Sequence, residues 1–236
     1  MAPFDNFDES ALGAFMESTL GVRGGYPPFA SVWKLNSSGG ETWTFDTGGN
    51  TYGIAVDGSG NVYVSGTRVG TKSVWKLNSS GGETWAFDTG GNTYGIAVDS
   101  NGNVYATCST GPSLWEINSA GVFVRSTGIS NVKYSIAVNS SFDLYVAGDR
   151  YPSKSVWKID SDWVSVWTFD TNNHARGIAI GNSNTYVAGY QQTSKSAWKL
   201  NSSGGETWSF DTGGNTYGIA VDGSGKVYVT GDRVAT

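Results

Sequence analysis

The chain is poor in the residues that usually announce chemistry. Of its 236 residues one is cysteine, Cys108, and one is histidine, His174. A lone cysteine excludes an internal disulfide. A lone imidazole with no Cys/His cluster gives no support to zinc ligation by the usual groups, so no metal or cofactor is expected. Cys108 closes the run "NVYATC" with no His or Asn partner in evidence, and it reads as a small buried residue rather than a nucleophile. His174, in "TNNHARG", reads as a hydrogen-bonded loop residue. Charge is scarce too, at 15% of residues with a net of -5, which argues against a nucleic-acid partner because such proteins carry a basic footprint. No apolar run approaches the ~18 residues that cross a bilayer. The opening "MAPFDNFDES" is acidic where a signal peptide is basic. The expectation is a protein made in the cytoplasm, with neither signal peptide nor transmembrane segment and no membrane partner.

Glycine is abundant, at 34 residues, and aromatics reach 14%, ten of them Trp. Much Gly, much aromatic and little charge suit short strands joined by tight turns. The chain also repeats itself. Ser31–Asp57 and Ser73–Asp99 differ only at Thr44 and Ala86, and Ser196–Asp222 departs from the first copy only at Ala197 and Ser209. The Trp of a W-K/E-L/I element recurs at Trp33, Trp75, Trp115, Trp157 and Trp198, at spacings of 42, 40, 42 and 41. A period of this length belongs to four-stranded propeller blades.

Each unit holds four runs of strand periodicity, in the first copy "SVWKL", "ETWTF", "YGIAV" and "NVYVS". The breaks "NSSGG", "DTGGN" and "DGSGN" supply the Gly and Asn that turns with positive φ demand. Gly53 and Ala55 are small enough for the crowded axis, so "YGIAV" is predicted innermost, then "NVYVS", "SVWKL" and the outermost "ETWTF". The chain starts on the two outer strands and ends on the two inner ones. The expected fold is therefore all-β: a single five-bladed β-propeller of four-stranded blades over residues 31–236. Pairing of the N-terminal outer strands with the C-terminal inner strands closes it and removes open edges.

"GIAVDGSGNVYVSG" resembles the β-propeller repeats of the NHL and SBBP type, and the resemblance covers residues 31–236. It implies the propeller fold and leaves function open, since propellers host binding, scaffolding and enzymatic roles alike. The third unit lacks the second Trp, and the fourth gains Trp163 and loses its Gly pair.

Residues 1–30 do not repeat. "DNFDESALGAFMESTLG" reads as an amphipathic helix followed by the extended "GGYPPFA", an N-terminal helical arm that either covers an end of the ring or docks on another subunit. The expected docking residues are Phe4, Phe7, Leu12, Phe15 and Met16. The stretch "PFDNFDESALGAFMEST" with "YPP" resembles the opening of small head–tail joining proteins of tailed bacteriophages. That resemblance implies a virion component in the neck, tail or capsid, with other virion or assembly subunits as protein partners.

Polar chemistry concentrates in loops on one rim. The loops entering each inner strand present Asn50, Tyr52, Asn92, Tyr94, Tyr134, Asn173, Arg176, Asn215 and Tyr217. The loops after the second strand carry Arg68, Arg150 and Arg233, with Lys72, Lys154 and Lys195. Amide, aromatic and cation together can hold a sugar; the same residues can also simply build turns and pack neighbouring blades. The repeated "FDT" aspartates, Asp46, Asp88, Asp170 and Asp211, read as turn caps, with Ser126 at that place in the third unit. No Walker loop, dinucleotide fingerprint or calcium loop is present. With no converging acid–base set, the expected function is a non-enzymatic structural or interaction module, with a carbohydrate-binding lectin as the alternative.

Overall fold

The computed structural model describes residues 31–129, 134–150, 152–190 and 194–232, so the expected helical arm and its residues Phe4, Phe7, Leu12, Phe15 and Met16, like Arg233, lie outside the described residues. The chain forms two compact units, residues 1–48 and 49–236. The described part of the first is a hairpin of β1 (Val32–Leu35) and β2 (Glu41–Phe45).

The second unit holds four four-stranded antiparallel sheets and one two-stranded sheet. The first sheet is β3 (Thr51–Val56), β4 (Val62–Val69), β5 (Lys72–Leu77) and β6 (Glu83–Phe87). The second is β7 (Thr93–Val98), β8 (Val104–Cys108), β9 (Leu114–Ile117) and β10 (Phe123–Thr127). The third is β11 (Ser135–Val138), β12 (Leu144–Ala147), β13 (Val156–Ile159) and β14 (Ser165–Phe169). The fourth is β15 (Ala175–Gly181), β16 (Asn184–Gly189), β17 (Ala197–Leu200) and β18 (Glu206–Phe210). The chain ends on the hairpin β19 (Thr216–Val221) and β20 (Val227–Gly231). Within each full sheet the spatial order is the sequence order, with "YGIAV" or its counterpart at one edge and "ETWTF" or its counterpart at the other.

The turns between strands are built by side chains accepting backbone hydrogen bonds. Asp46, Asp88, Asp170 and Asp211 each accept from the backbone N–H two residues on, at 2.8 Å in all four cases. Asp57 caps its turn twice, from Ser59 and Asn61, both at 2.9 Å. Strand register corrects one sequence assignment: Leu114 faces Thr127 as Val74 faces Phe87, so Gly128 and not Ser126 occupies the aspartate position of the third unit.

The edge strands β3, β7, β11, β15 and β19 pack in succession, and their small residues make this approach feasible. A Cβ on Gly53 would lie 2.5 Å from the Tyr94 carbonyl oxygen, and one on Gly177 would lie 2.8 Å from that of Tyr217. The next sheet sets an isoleucine onto the Gly53 face, Ile96 Cγ2 lying 3.2 Å from that Cβ position. Ile96, Ile136 and Ile178 are each 7% exposed. Their counterpart on β3, Ile54, is 59% exposed. Three clusters form the core, each drawing buried residues from two successive sheets: around Tyr63, Ile96 and Val104, around Leu114, Ile136 and Trp157, and around Val156, Ile178 and Trp198.

Candidate functional site on the rim

The loops preceding the first strand of each sheet meet the loops following the second strand. Tyr52 and Tyr94 stack, ring centroids 4.9 Å apart and planes 26° from parallel. The Tyr52 hydroxyl lies 3.1 Å from Thr67 Oγ1, and the Asn50 carbonyl accepts from Thr67 N–H at 2.8 Å. Arg68 donates from Nε and Nη2 to the two oxygens of Asp88 at 2.7 and 2.6 Å, a bidentate pair. Its backbone N–H donates to Asn92 Oδ1 at 2.9 Å. The guanidinium hydrogen bonds hold the Asp88 carboxyl below its usual range.

The third and fourth sheets repeat this arrangement with different residues. Arg150 clamps Asp170 at 2.8 to 3.0 Å. The Arg150 N–H donates to His174 Nδ1 at 3.4 Å, and that nitrogen also lies 2.9 Å from Asp149 Oδ1. His174 thus takes the place of Asn92, and Asn173 falls one residue short of it. Asn173 instead accepts from Thr171 Oγ1 through its carbonyl, at 2.6 Å. Tyr134 donates its hydroxyl to the same Asp149 oxygen at 2.5 Å. Burial, then that hydrogen bond, drives the Tyr134 phenol far above its ordinary range.

Arg176 lies between two rings, its guanidinium carbon 3.7 Å from the Tyr134 centroid and 4.4 Å from that of Tyr190. Nη2 donates to the Tyr190 hydroxyl at 2.6 Å. Tyr190 also meets His174 and Tyr217 edge-on, at 5.4 and 6.0 Å. Tyr217 donates to Asp232 Oδ1 at 2.8 Å, and Asn215 Nδ2 donates to Asp232 Oδ2 at 2.9 Å. The hydrogen bond to Asp232 raises the Tyr217 phenol.

Three residues of this network carry no sequence signal of their own: Asp149, Tyr190 and Asp232. Each directly follows a glycine near the end of the second strand, Gly148, Gly189 and Gly231, as Thr67 follows Gly66. That position lies 14 or 15 residues after the rim tyrosine or arginine it contacts. The signal was this fixed offset, hidden because the residue type varies from unit to unit. Lys72 and Lys195 lie on the outer side of the sheets, paired with Glu83 and Glu206 at 2.7 and 2.8 Å.

No protein-family model and no curated protein matches the chain. Solved structures do. Streptogramin B lyase superposes with a TM-score of 0.69 at 16% identity, over 84% of this chain and 68% of that one. Kuenenia stuttgartiensis hydrazine synthase gives 0.65 at 14%, over 77% and 55%. A Bacteroides caccae protein of unknown function gives 0.60 at 17%, over 76% and 74%. At these identities the likeness is one of fold: the chain has a propeller-like repeat fold. Among the described residues no helix is long and apolar enough to cross a membrane.

Proposed function

We propose that the chain is a non-enzymatic structural and interaction module, a single five-bladed propeller docked in a larger assembly, such as a bacteriophage virion, through its N-terminal arm. The fifth blade combines β19–β20 with β1–β2. Unspent apolar surface supports this closure. Phe87 meets Trp115 of the next sheet edge-on at 5.8 Å. The equivalent pair at closure is Phe210 and Trp33, 61% and 53% exposed. The open face of Gly218 likewise matches exposed Ile54, as Gly53 matches Ile96.

The observation that carries the non-enzymatic reading is how the rim uses its ionisable groups. Arg68, Arg150, Asp149, Asp232, Tyr134 and Tyr217 form bonds that tie loop to loop. Each of these bonds engages a neighbouring loop, which is the structural use of such groups. The test of the assembly role is particle association: tagged full-length chain sediments with particles from its native host, and Phe7→Asp with Phe15→Asp leaves it in the soluble fraction with an unchanged near-UV spectrum. Equal sedimentation of the double variant overturns docking by the arm.

One observation favours the lectin alternative. Tyr52 and Tyr94 stack on the rim beside Asn92 and Arg68, aromatic next to amide and cation. On that reading an array of immobilised glycans gives a hit that fades when Tyr52, Tyr94 and Tyr217 become Ala. A blank array removes it.

A further inference from the structure

One junction between sheets is unlike the others. Where Trp85 and Trp167 project from the outermost strands of their sheets, β10 carries Arg125. Trp85 and Trp167 donate their indole N–H to the carbonyls of Ser119 and Ser202 in the next sheet. Arg125 reproduces that bond, Nη2 donating to the Ser161 carbonyl at 2.9 Å. Its Nε meets Glu116, which replaces the lysine found at Lys76 and Lys158.

The lost indole has moved across the junction. The third residue after the strand-ending Asn or Asp is a positive-φ glycine in the other turns, with φ from 81° to 87° at Gly39, Gly81, Gly121 and Gly204. In the third sheet it is Trp163, at φ 66°. A bulky residue in this region is strained by ~1–2 kcal/mol, and such strain calls for a compensating use. Trp163 stacks on Arg125, the guanidinium carbon 4.7 Å from the ring.

Two further replacements mark this junction. Thr127 stands where Phe87 and Phe169 stand, so the phenylalanine that meets Trp115 edge-on has no counterpart here, and Trp157, 6% exposed, lies in a cluster on which Ile129 and Trp163 pack instead. Ser165 stands where Glu83 and Glu206 stand, so Lys154 lacks the acid that Lys72 and Lys195 hold; among the described residues it has no ionic partner. The result is a cleft of about 490 Å³ lined by Thr127, Ile129, Lys154, Trp157, Ile159 and Trp163, with Ser165 beside them. That volume suits a small ligand.

We propose that this cleft binds a small aromatic carboxylate. Its ring takes the place that phenylalanine fills at the neighbouring junction, beside Trp163 and Ile129 and at the small open edge of Trp157. Its carboxylate meets Lys154. The chain itself supplies the template: Phe87 edge-on to Trp115 shows the apolar half, and the Lys72–Glu83 pair shows the charged half. Aromatic pairing and a partly exposed ion pair then act together on one ligand.

The test is titration of the full chain with 2-naphthoate and with neutral 2-naphthylmethanol, followed by calorimetry and ligand-observed NMR. One site with a dissociation constant on the order of a millimolar or tighter is expected for naphthoate. Thr127→Phe restores the repeat residue, fills the cleft and abolishes binding without lowering the melting temperature. Lys154→Gln weakens naphthoate about five-fold and leaves the alcohol unchanged, a readout that holds even where Thr127→Phe misfolds. No saturable binding of naphthoate up to several times that order of concentration overturns the proposal. So does binding that survives both substitutions.

Discussion

The rings of Phe87 and Trp115 meet edge-on, centroids 5.8 Å apart, and join one sheet to the next. Such a contact joins area burial to quadrupole attraction. Phe87→Ala is therefore expected to cost about 2–3 kcal/mol, less than a fully buried ring, read as a lower urea midpoint at unchanged m. Phe210→Ala is expected to cost a similar amount if Phe210 packs on Trp33 in a closed ring. A loss under about 0.5 kcal/mol, the usual size for a surface site, speaks against closure.

Closure also predicts a register. Ser65 faces Val74, Ala147 faces Val156 and Ala188 faces Ala197, so Thr230 is expected to face Val32. Cysteines at Val32 and Thr230 should form a disulfide within one chain on mild oxidation, seen as a mobility shift at monomer mass on a non-reducing gel. Dimers as the main product would show instead that two copies complete each other's blades. Cys108 is buried and should stay silent.

Two glycines serve different ends. Gly90 has a φ of 83°, and a Cβ added there would meet nothing within 4 Å, so Gly90→Ala carries only the backbone penalty, about 1 kcal/mol. Gly53 has an ordinary φ, yet its Cβ would press on the Tyr94 carbonyl at 2.5 Å and on Ser65 Oγ at 2.6 Å. Gly53→Ala is expected to cost about 2–3 kcal/mol by forcing the sheets apart. Chemical denaturation of both variants checks the order; a larger loss for Gly90→Ala would contradict the close approach of the sheets.

Asp88 gives a pH signature. Its folded carboxyl titrates below the ordinary value, chiefly because Arg68 bonds it. The stabilisation is therefore present above the unfolded-state value, ~3.9, and is lost as pH falls through the lower folded value. Arg68→Ala is expected to raise the Asp88 midpoint in a carboxyl NMR titration. The stability gap between Arg68→Ala and the parent should be open at neutral pH and close as pH falls through the lowered folded value. An unmoved midpoint would mean the pair is not formed in solution.

Much of the architecture was legible in the sequence because it is written several times over. Period-two alternation marked each strand, Gly and Asx residues marked each turn, and near-identical copies made the unit length plain. The small residues Gly53 and Ala55 even ordered the strands, since only small side chains tolerate sheets packed edge strand to edge strand. The aspartate turn caps followed from residue type alone, because the bond spans only two residues. Contacts that cross from one sheet to the next were not legible in this way. Asn173 looked like the rim amide until hydrogen bonding gave that place to His174, and Ser126 looked like the capping position until strand register gave it to Gly128.

What the sequence by itself determined, then, is the repeating unit: its strands, its turns and their order, all set by interactions between residues close in the chain. The tertiary structure decided which departures from the repeat answer one another. Arg125 and Trp163 exchange an aromatic across a junction, and Thr127 and Ser165 leave Trp157 and Lys154 without the partners their counterparts have. Each member of such a set looks like drift when read along the chain. Only packing, which joins residues ~40 positions apart, shows that the substitutions share one place.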